Sequence, residues 1–235
     1  MYEVNEKPWF SNQNNDSYDQ LSGFENDVIL SHTQQTMAEV IAMSPESKEV
    51  SVLRYENSLP INRTTEVIIQ SQKTMYDKNI LSTIGDIKIG DLLSCNGKQY
   101  LITSPARENI LYEAHYARLV TSTIQYDVII KVNTGKTTSM GAPIYKEEKT
   151  TYSLPIAFHS YDKESGADTS IYAPINSPES ELRFMIQFMQ SANTLKILSE
   201  FSFMGNKYAV TNLDHTNVEF GQRGIVTVKA ERKVT

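Results

Sequence analysis

The residues that could carry out chemistry are few and widely spaced. The chain has four histidines, His32, His115, His159 and His215, and a single cysteine, Cys95. A metal site needs three or four convergent ligands, and none of the histidines has the spacing of a ligand pair on one helix face. Surface or turn positions are therefore predicted for the histidines. Cys95 is predicted to be a small apolar strand residue, since nothing beside it would activate a thiol.

One segment has part of a phosphate-binding motif. Asn133-Thr134-Gly135-Lys136-Thr137 follows an apolar run, as the phosphate loop of nucleotide-binding proteins does. That loop requires a glycine five positions before the glycine of its Gly-Lys pair, so that backbone amides can curl around the phosphates. Ile130 occupies that position. With no Gly-x-Ser-x-Gly elbow either, the sequence predicts no enzyme, no cofactor and no metal.

The charge distribution separates the amino-terminal quarter from the rest. Of the net charge of −6, residues 1–58 contribute ten acids and three bases, whereas the remainder holds eighteen acids and nineteen bases. No excess of basic residues indicates a face that would bind phosphates tightly. A single cysteine excludes an internal disulfide and suits a reducing cytoplasm. The amino terminus lacks a secretory signal, and the apolar runs are too short to span a bilayer.

The element that organises the chain is a strand–turn–strand unit that occurs twice. Around Asn96-Gly97, residues 92–95 and 98–103 read as the two strands of a tight hairpin, whose turn needs positive φ at both central positions. Gly97, Tyr100, Ile102 and Thr103 recur as Gly205, Tyr208, Val210 and Thr211, at a constant offset of 108 residues. The repetition predicts two copies of one small β-domain.

The remaining elements are placed around these hairpins. Residues 1–57 are predicted to form a polar, acidic arm containing a short helix at 31–43, and residues 58–133 the first β-domain. Residues 134–151 are predicted to be a long loop or a mobile hairpin. Residues 152–235 are the second β-domain, with an inserted segment near 166–195. Within it, residues 179–191 fit a helix, and residues 182–189 also fit a buried strand.

The predicted fold class is mainly β, with two small tandem barrels or sandwiches related by duplication, a largely extended amino-terminal arm and one or two short helices. Aromatic side chains in the polar arm suit docking on a neighbour, because such anchors support coupled folding and binding. A floppy tail is the alternative. The candidate docking residues are Trp9, Phe10, Tyr18 and Phe24.

Several segments resemble the head-closure (stopper or neck) proteins of tailed bacteriophages. In the first half these are Val67–Gln70, Ile87–Asp91 and Asn96–Ile102. In the second half they are Leu182–Phe184, Phe201–Asp214 and Gly224–Val228. The resemblance covers roughly residues 65–232 and implies a non-enzymatic virion protein, assembled in the bacterial host cytoplasm and located in the neck.

The resemblance implies a ring of about six or twelve copies between a portal or adaptor ring and the tail proteins. The ring would retain packaged double-stranded DNA without binding it tightly, and would have no membrane partner. The loop at 134–151 is then expected to gate the lumen or to clasp an adjacent subunit. Its candidate residues are Thr134, Gly135, Lys136, Thr137, Gly141, Tyr145, Lys146 and Lys149.

Two other functions fit the same sequence. One is a phage tail or baseplate adaptor, because small β-domains recur in those assemblies. The other is a small β-barrel module that binds an oligosaccharide or oligonucleotide. The binding module would need exposed aromatic side chains on one barrel face, for which Tyr100, Tyr112 and Tyr116 are the candidates.

Overall fold

The computed structural model describes residues 32–57, 59–72, 74–108, 111–158, 181–189 and 195–233. Within them the chain forms helix α1 (32–43) and fourteen β-strands. The helix was predicted at 31–43. The predicted docking residues Trp9, Phe10, Tyr18 and Phe24 lie outside the described residues.

The first seven strands build a closed barrel. They are β1 (Ser47–Glu56), β2 (Leu59–Ser71), β3 (Asp77–Ser82), β4 (Leu92–Cys95), β5 (Lys98–Ile102), β6 (Arg107–Glu108) and β7 (Glu113–Leu119). Six of them follow the order β3-β2-β1-β4-β5-β7, and antiparallel pairing of β3 with β7 closes the sheet. The short β6 adds to β7 from outside. Closure removes the exposed edges at which open sheets aggregate.

The next seven strands repeat this topology. They are β8 (Ser122–Thr137), β9 (Pro143–Phe158), β10 (Glu181–Gln187), β11 (Glu200–Phe203), β12 (Asn206–Asp214), β13 (Val218–Glu219) and β14 (Arg223–Arg232). Their order is β10-β9-β8-β11-β12-β14, closed by pairing of β10 with β14. The predicted fold, mainly β with two tandem barrels or sandwiches related by duplication, is confirmed, and both domains are barrels of one topology.

The duplicated hairpin has the same backbone in both barrels. Asn96 and Gly97 have φ values of 50° and 73°, and Met204 and Gly205 have 48° and 78°. Positive φ at both central positions is what a two-residue hairpin turn of this twist requires. The 108-residue offset therefore reflects equivalent structure.

The turn before each hairpin is duplicated as well, although its sequence conceals this. The Lys88 amide donates to Asp91 Oδ2 at 2.9 Å, and the Lys196 amide donates to Ser199 Oγ at the same distance. Backbone bonds from Gly90 to the Ile102 carbonyl and from Leu198 to the Val210 carbonyl also correspond. Residues 88–91 and 196–199 are thus equivalent, at the same offset of 108.

Each barrel has its own apolar core, and a third cluster joins the two barrels. In this junction Ile89, Leu92 and Leu101 of the first barrel pack against Ala157, Met185 and Ile225 of the second. Gly90 approaches Gly224 so closely that a Cβ atom on Gly90 would lie 2.1 Å from the Gly224 carbonyl oxygen. Side-chain hydrogen bonds also cross the junction, among them those from Gln187 Nε2 to the Leu53 carbonyl at 2.9 Å and from Arg118 Nη1 to the Phe158 carbonyl at 3.0 Å.

The structure divides the chain at different points from those predicted. Strand β1 (Ser47–Glu56) pairs along its length with β2, so it belongs to the first barrel and not to the amino-terminal arm. Strand β8 (Ser122–Thr137) pairs with β9 and β11, so the second barrel begins near residue 122 and not after 133. Residues 120 and 121 alone separate β7 from β8, without the glycine or proline that usually marks a boundary.

The helix predicted at 179–191 is wrong, and the alternative strand is correct. Strand β10 places Leu182, Phe184 and Ile186 in the core of the second barrel. Met185, on its opposite face, lies in the junction between the barrels. Because both faces are buried from Phe184 onward, this part of the strand lacks period-2 alternation and resembles the apolar face of a helix. The long connection lies between β9 and β10, where 22 residues (159–180) stand in place of the five (72–76) between β2 and β3. Residues 159–180 lie outside the described part of the chain.

Candidate assembly site

The first hairpin of the second barrel is much longer than its counterpart in the first. Ser51 pairs with Thr64 and Ser94, and Gln125 pairs equivalently with Ser153 and Ser202. By this register Glu56 corresponds to Ile130, and Leu59 corresponds to Glu148. Only two residues connect Glu56 to Leu59, whereas residues 131–147 connect Ile130 to Glu148. We call residues 131–147 the arm. The segment predicted at 134–151 as a long loop or hairpin is the outer part of this hairpin.

Both outer edges of this hairpin are open. Strand β8 pairs with β11 only through Gln125 and Tyr126, and β9 pairs with β10 only through Ala157 and Phe158. Beyond those residues the two strands pair with each other and with no further described strand. An isolated two-stranded ribbon is marginally stable in water, and unpaired strand edges are templates for pairing with another chain.

The tip of the arm is shaped by local hydrogen bonds. The Gly135 amide donates to Asn133 Oδ1 at 2.9 Å, where the register shifts between Asn133 and Thr137. The Thr138 amide donates to the Ala142 carbonyl at 2.8 Å and closes the turn that contains Gly141. Lys136 and Thr137 therefore lie on a strand of a hairpin, and no helix follows them as a phosphate loop would require.

Apolar side chains project into solvent from both faces of the hairpin. The pairings of Lys131 with Glu147 and of Asn133 with Tyr145 place Ile129 and Tyr145 on one face and Val132 on the other. Ile129 is 64% exposed, Tyr145 55%, and Met140 at the tip 95%. Such residues on an extended ribbon indicate a contact surface and not a core.

Charged groups on the hairpin are mixed. Lys149 Nζ lies 2.8 Å from Asp127 Oδ2, and Thr151 donates to Asp127 Oδ1 at 2.7 Å. These hydrogen bonds, chiefly the one from Lys149, lower the pKa of Asp127. Lys146 pairs with Glu148 at 3.7 Å, whereas Lys131 and Lys136 form no ion pair with any described residue. The candidate residues of 134–151 therefore share one hairpin but do not converge on a ligand pocket.

The histidines among the described residues do not assemble into a reactive site, and His115 does not have the surface or turn position predicted for it. His115 is fully buried, and its Nε2 lies 3.5 Å from Glu113 Oε2 without hydrogen-bond geometry. Burial lowers the pKa of His115 more than the Glu113 carboxylate raises it. The pair borders a cleft of about 510 Å³ beside Lys88, Phe220 and Arg223. Among the described residues no group of three histidine, cysteine, aspartate or glutamate side chains could hold a metal ion.

The other candidates have structural surroundings. Cys95 is buried in the first core, as predicted. Tyr100 lies in the same core, whereas Tyr116 is 41% exposed beneath the Arg107 guanidinium, which lies 4.2 Å from the ring centroid. The three tyrosines considered for a binding face therefore do not line one exposed surface. His159 lies outside the described residues.

One buried ion pair had no signal in the sequence. Arg54 Nε and Nη2 bond to the two carboxylate oxygens of Asp91 at 2.8 and 2.6 Å. Burial lowers the pKa of Arg54, but hydrogen bonds and charge attraction from Asp91 outweigh it and raise the pKa overall. Since Asp91 also accepts from the Lys88 amide, the pair fixes the turn at the junction to β1. Arg54 and Asp91 are 37 positions apart in the sequence, so only the folded barrel brings them together.

Comparison with known proteins gives one match for each barrel. Residues 9–119 match the family described as the YomX N-terminal domain, and residues 126–231 match the YomX C-terminal domain. Together the two matches cover nearly the whole chain, and they divide it where the structure does. The chain belongs to the YomX family.

One curated relative of the chain is prophage-derived. It is the "SPbeta prophage-derived uncharacterized protein YomX" of Bacillus subtilis (strain 168), 28% identical over 176 residues, which are 72% of this chain and 78% of the relative. The match agrees with the phage origin that the sequence resemblance predicts. A solved structure of MrkH from K. pneumonia in its apo state aligns over 87% of this chain and 84% of that chain, with 10% identity. Its TM-score of 0.20 is too low to indicate a shared fold.

No helix within the described parts of the chain is both long enough and apolar enough to cross a bilayer.

Proposed function

We propose that this YomX-family protein is a structural virion protein that forms a ring in the neck of a tailed phage. The ring would bridge the portal or adaptor ring and the tail and would retain packaged DNA. Relationship to a prophage-derived protein supports the phage setting. Two rigid, closed barrels fixed by an apolar junction are suited to a load-transmitting ring subunit.

The observation that carries the proposal is the arm at residues 131–147 of the second barrel. The hairpin bearing the arm leaves the second barrel with two open edges and exposed apolar side chains, and it extends well beyond the length of the equivalent β1–β2 hairpin. The duplicate hairpin of the first barrel does without this extension, so the fold does not need it. A segment that the fold does not need, and that exposes pairing edges, is suited to contact with another subunit or with its own copies around a lumen.

The charge pattern suits a channel through which DNA passes. The residues after position 58 are nearly neutral, and the four lysines on or beside the arm stand among three carboxylates. A conduit should avoid strong phosphate contacts, because these would hold the genome in transit. The acidic amino-terminal arm is proposed to dock on the portal-side ring, and the protein is proposed to have no enzymatic activity.

Location in the particle tests the proposal. A peptide tag inserted between Asn57 and Ser58, at the short hairpin of the first barrel, would be labelled with antibody on purified virions and imaged by electron microscopy. Label at the head–tail junction is the expected result. Label at the tail tip would instead support the tail or baseplate adaptor, and absence of the protein from particles would overturn a virion role.

A further inference from the structure

One turn is equivalent in the two barrels, but it is buried in the first and exposed in the second. In the first barrel Ile89 is 4% exposed, and Gly90 contacts Gly224 in the junction. Their equivalents in the second barrel are Ile197 and Leu198, which are 56% and 77% exposed. The surface by which the first barrel docks on the second therefore recurs, uncovered and apolar at its centre, on the second barrel.

Leu198 has a backbone conformation that its residue type disfavours. Its φ is 70°, close to the 86° of Gly90 at the equivalent position. A non-glycine residue in this left-handed region costs about 1–2 kcal/mol, and a bulky one is uncommon there. Glycine would satisfy the same turn, as the first barrel demonstrates. The strained, exposed side chain of Leu198 does not stabilise the described fold. Backbone strain of this kind is concentrated at functional contacts.

The surroundings of the turn have the character of an interface between separate molecules. Leu53, Leu92 and Leu101 of the junction correspond to Asp127, Glu200 and Ala209 in the second barrel. An apolar centre with a more polar rim is typical of contacts between chains that fold independently, whereas a wholly apolar contact suits two domains of one chain. The carboxylates of Asp127 and Glu200 keep the rim of this face hydrated.

We propose that the face around Ile197 and Leu198 binds the first barrel of a second copy of this chain. The receiving surface is the part of the first barrel around Leu111 and Tyr112. Tyr100 pairs with Leu119 as its equivalent Tyr208 pairs with Arg232, so Leu111 and Tyr112 are equivalent to Gly224 and Ile225. The contact between copies thereby uses the faces equivalent to those that meet within a copy, but Leu198 and Leu111 stand in the places of Gly90 and Gly224, so the two backbones lie further apart than they do within a copy. The two surfaces differ, so the interface is head-to-tail, the kind that generates rings. The proposal rests on the ring function proposed for the protein.

Replacement of Leu198 by glycine tests the contact without harming the turn. Sedimentation of full-length Leu198→Gly should show an apparent dissociation constant at least about tenfold weaker than that of the wild type, as for a hot-spot side chain. Its melting temperature should be equal or higher, because the substitution relieves strain. Met204→Gly is the matched control, since Met204 also has positive φ and is 82% exposed, but at the other end of β11. Equal assembly of Leu198→Gly and wild type, or equal weakening by Met204→Gly, would overturn the proposal.

A disulfide between copies tests the receiving surface. Single variants Leu198→Cys and Leu111→Cys would be purified reduced, mixed and oxidised, so that a bond between positions 198 and 111 can form only between chains. The native Cys95 is buried and contributes little background. A cross-linked dimer is expected for this mixture and not for Met204→Cys with Leu111→Cys. Rings in the neck without the cross-link would refute this interface and leave the proposed function standing, whereas absence from the neck would refute the function itself.

Discussion

At Gly90 the backbones of the two barrels approach too closely for any side chain. We expect Gly90→Ala to lower the free energy of unfolding by roughly 2–5 kcal/mol, because it adds overpacking against the Gly224 carbonyl to the cost of positive φ. Gly85→Ala is the control. Gly85 also has positive φ, 81°, but a Cβ atom there would meet nothing within 4 Å. The free energy of unfolding of Gly85→Ala should fall by only about 1–2 kcal/mol in the same urea titration. Equal losses in the two variants would show that the backbone at the junction shifts to accommodate the added Cβ atom.

The buried histidine should give the protein a pH-dependent stability. Because the folded state lowers the pKa of His115, the unfolded chain binds a proton first as the pH falls below about 6.5. The stability contributed by keeping His115 neutral is present above that pH and is lost as the pH falls toward the folded pKa. The free energy of unfolding should therefore decline between pH 7 and 5.

A neutral replacement separates this effect from the titration of carboxylates. His115→Gln should flatten the pH 7–5 slope relative to the wild type. Measurement is by urea unfolding at fixed ionic strength across that range. A slope that persists in His115→Gln would assign the effect to other groups.

At the scale of single residues the sequence was informative where backbone geometry dictates the residue type. Asn96-Gly97 and Gly205 were recognisable because a tight hairpin turn needs positive φ. The equivalence of Gly90 and Leu198 is not recognisable from the sequence, because a leucine replaces the expected glycine. The pairing of Arg54 with Asp91 could not be read either, since it depends on the register of β1 with β4.

Among the elements, the arm is the part that the barrel can lose. The cores end at Tyr126 and Tyr152, with Val128 packed beside them, so residues 131–147 contribute no buried side chain. We expect that joining Ile130 to Glu148 through Asn-Gly, as two residues join Glu56 to Leu59, leaves the melting temperature within about 4 °C of wild type. Phage carrying only the shortened protein should package DNA and then lose it, measured as empty heads by electron microscopy.

Purified shortened protein with an unchanged melting temperature is the control that separates loss of contact from loss of folding. Full, infective heads from phage with the shortened arm would rule out a role of the arm in retaining DNA. Particles that fail to join heads to tails would favour the clasp over the gate.

Element types were predicted well where one face of a strand is solvated, and poorly where both faces are buried. Strand β14 alternates and was recognised, whereas β10 lies between a barrel core and the junction and resembled a helix. The boundary between the barrels was missed because β7 runs into β8 without a breaking residue. These failures share a cause, since tertiary burial removes the local pattern on which the prediction depends.

For the whole molecule, the duplicated hairpin was enough to predict two tandem β-domains, because similar sequences at a constant offset indicate the same small fold formed twice. The hairpin did not distinguish barrels from sandwiches. The packing of one barrel on the other was not predictable. It depends on Ile89, Met185 and Ile225, which are ordinary core residues in the sequence and meet only after both barrels have formed.

The shared topology of the barrels also bears on how an assembly would look. A ring of n chains joined by a contact like the one within each chain would contain 2n nearly identical density lobes. Image averaging at low resolution would then report twice the true rotational order. The lengthened β8–β9 hairpin, present on alternate lobes only, is the landmark by which chains could be counted correctly.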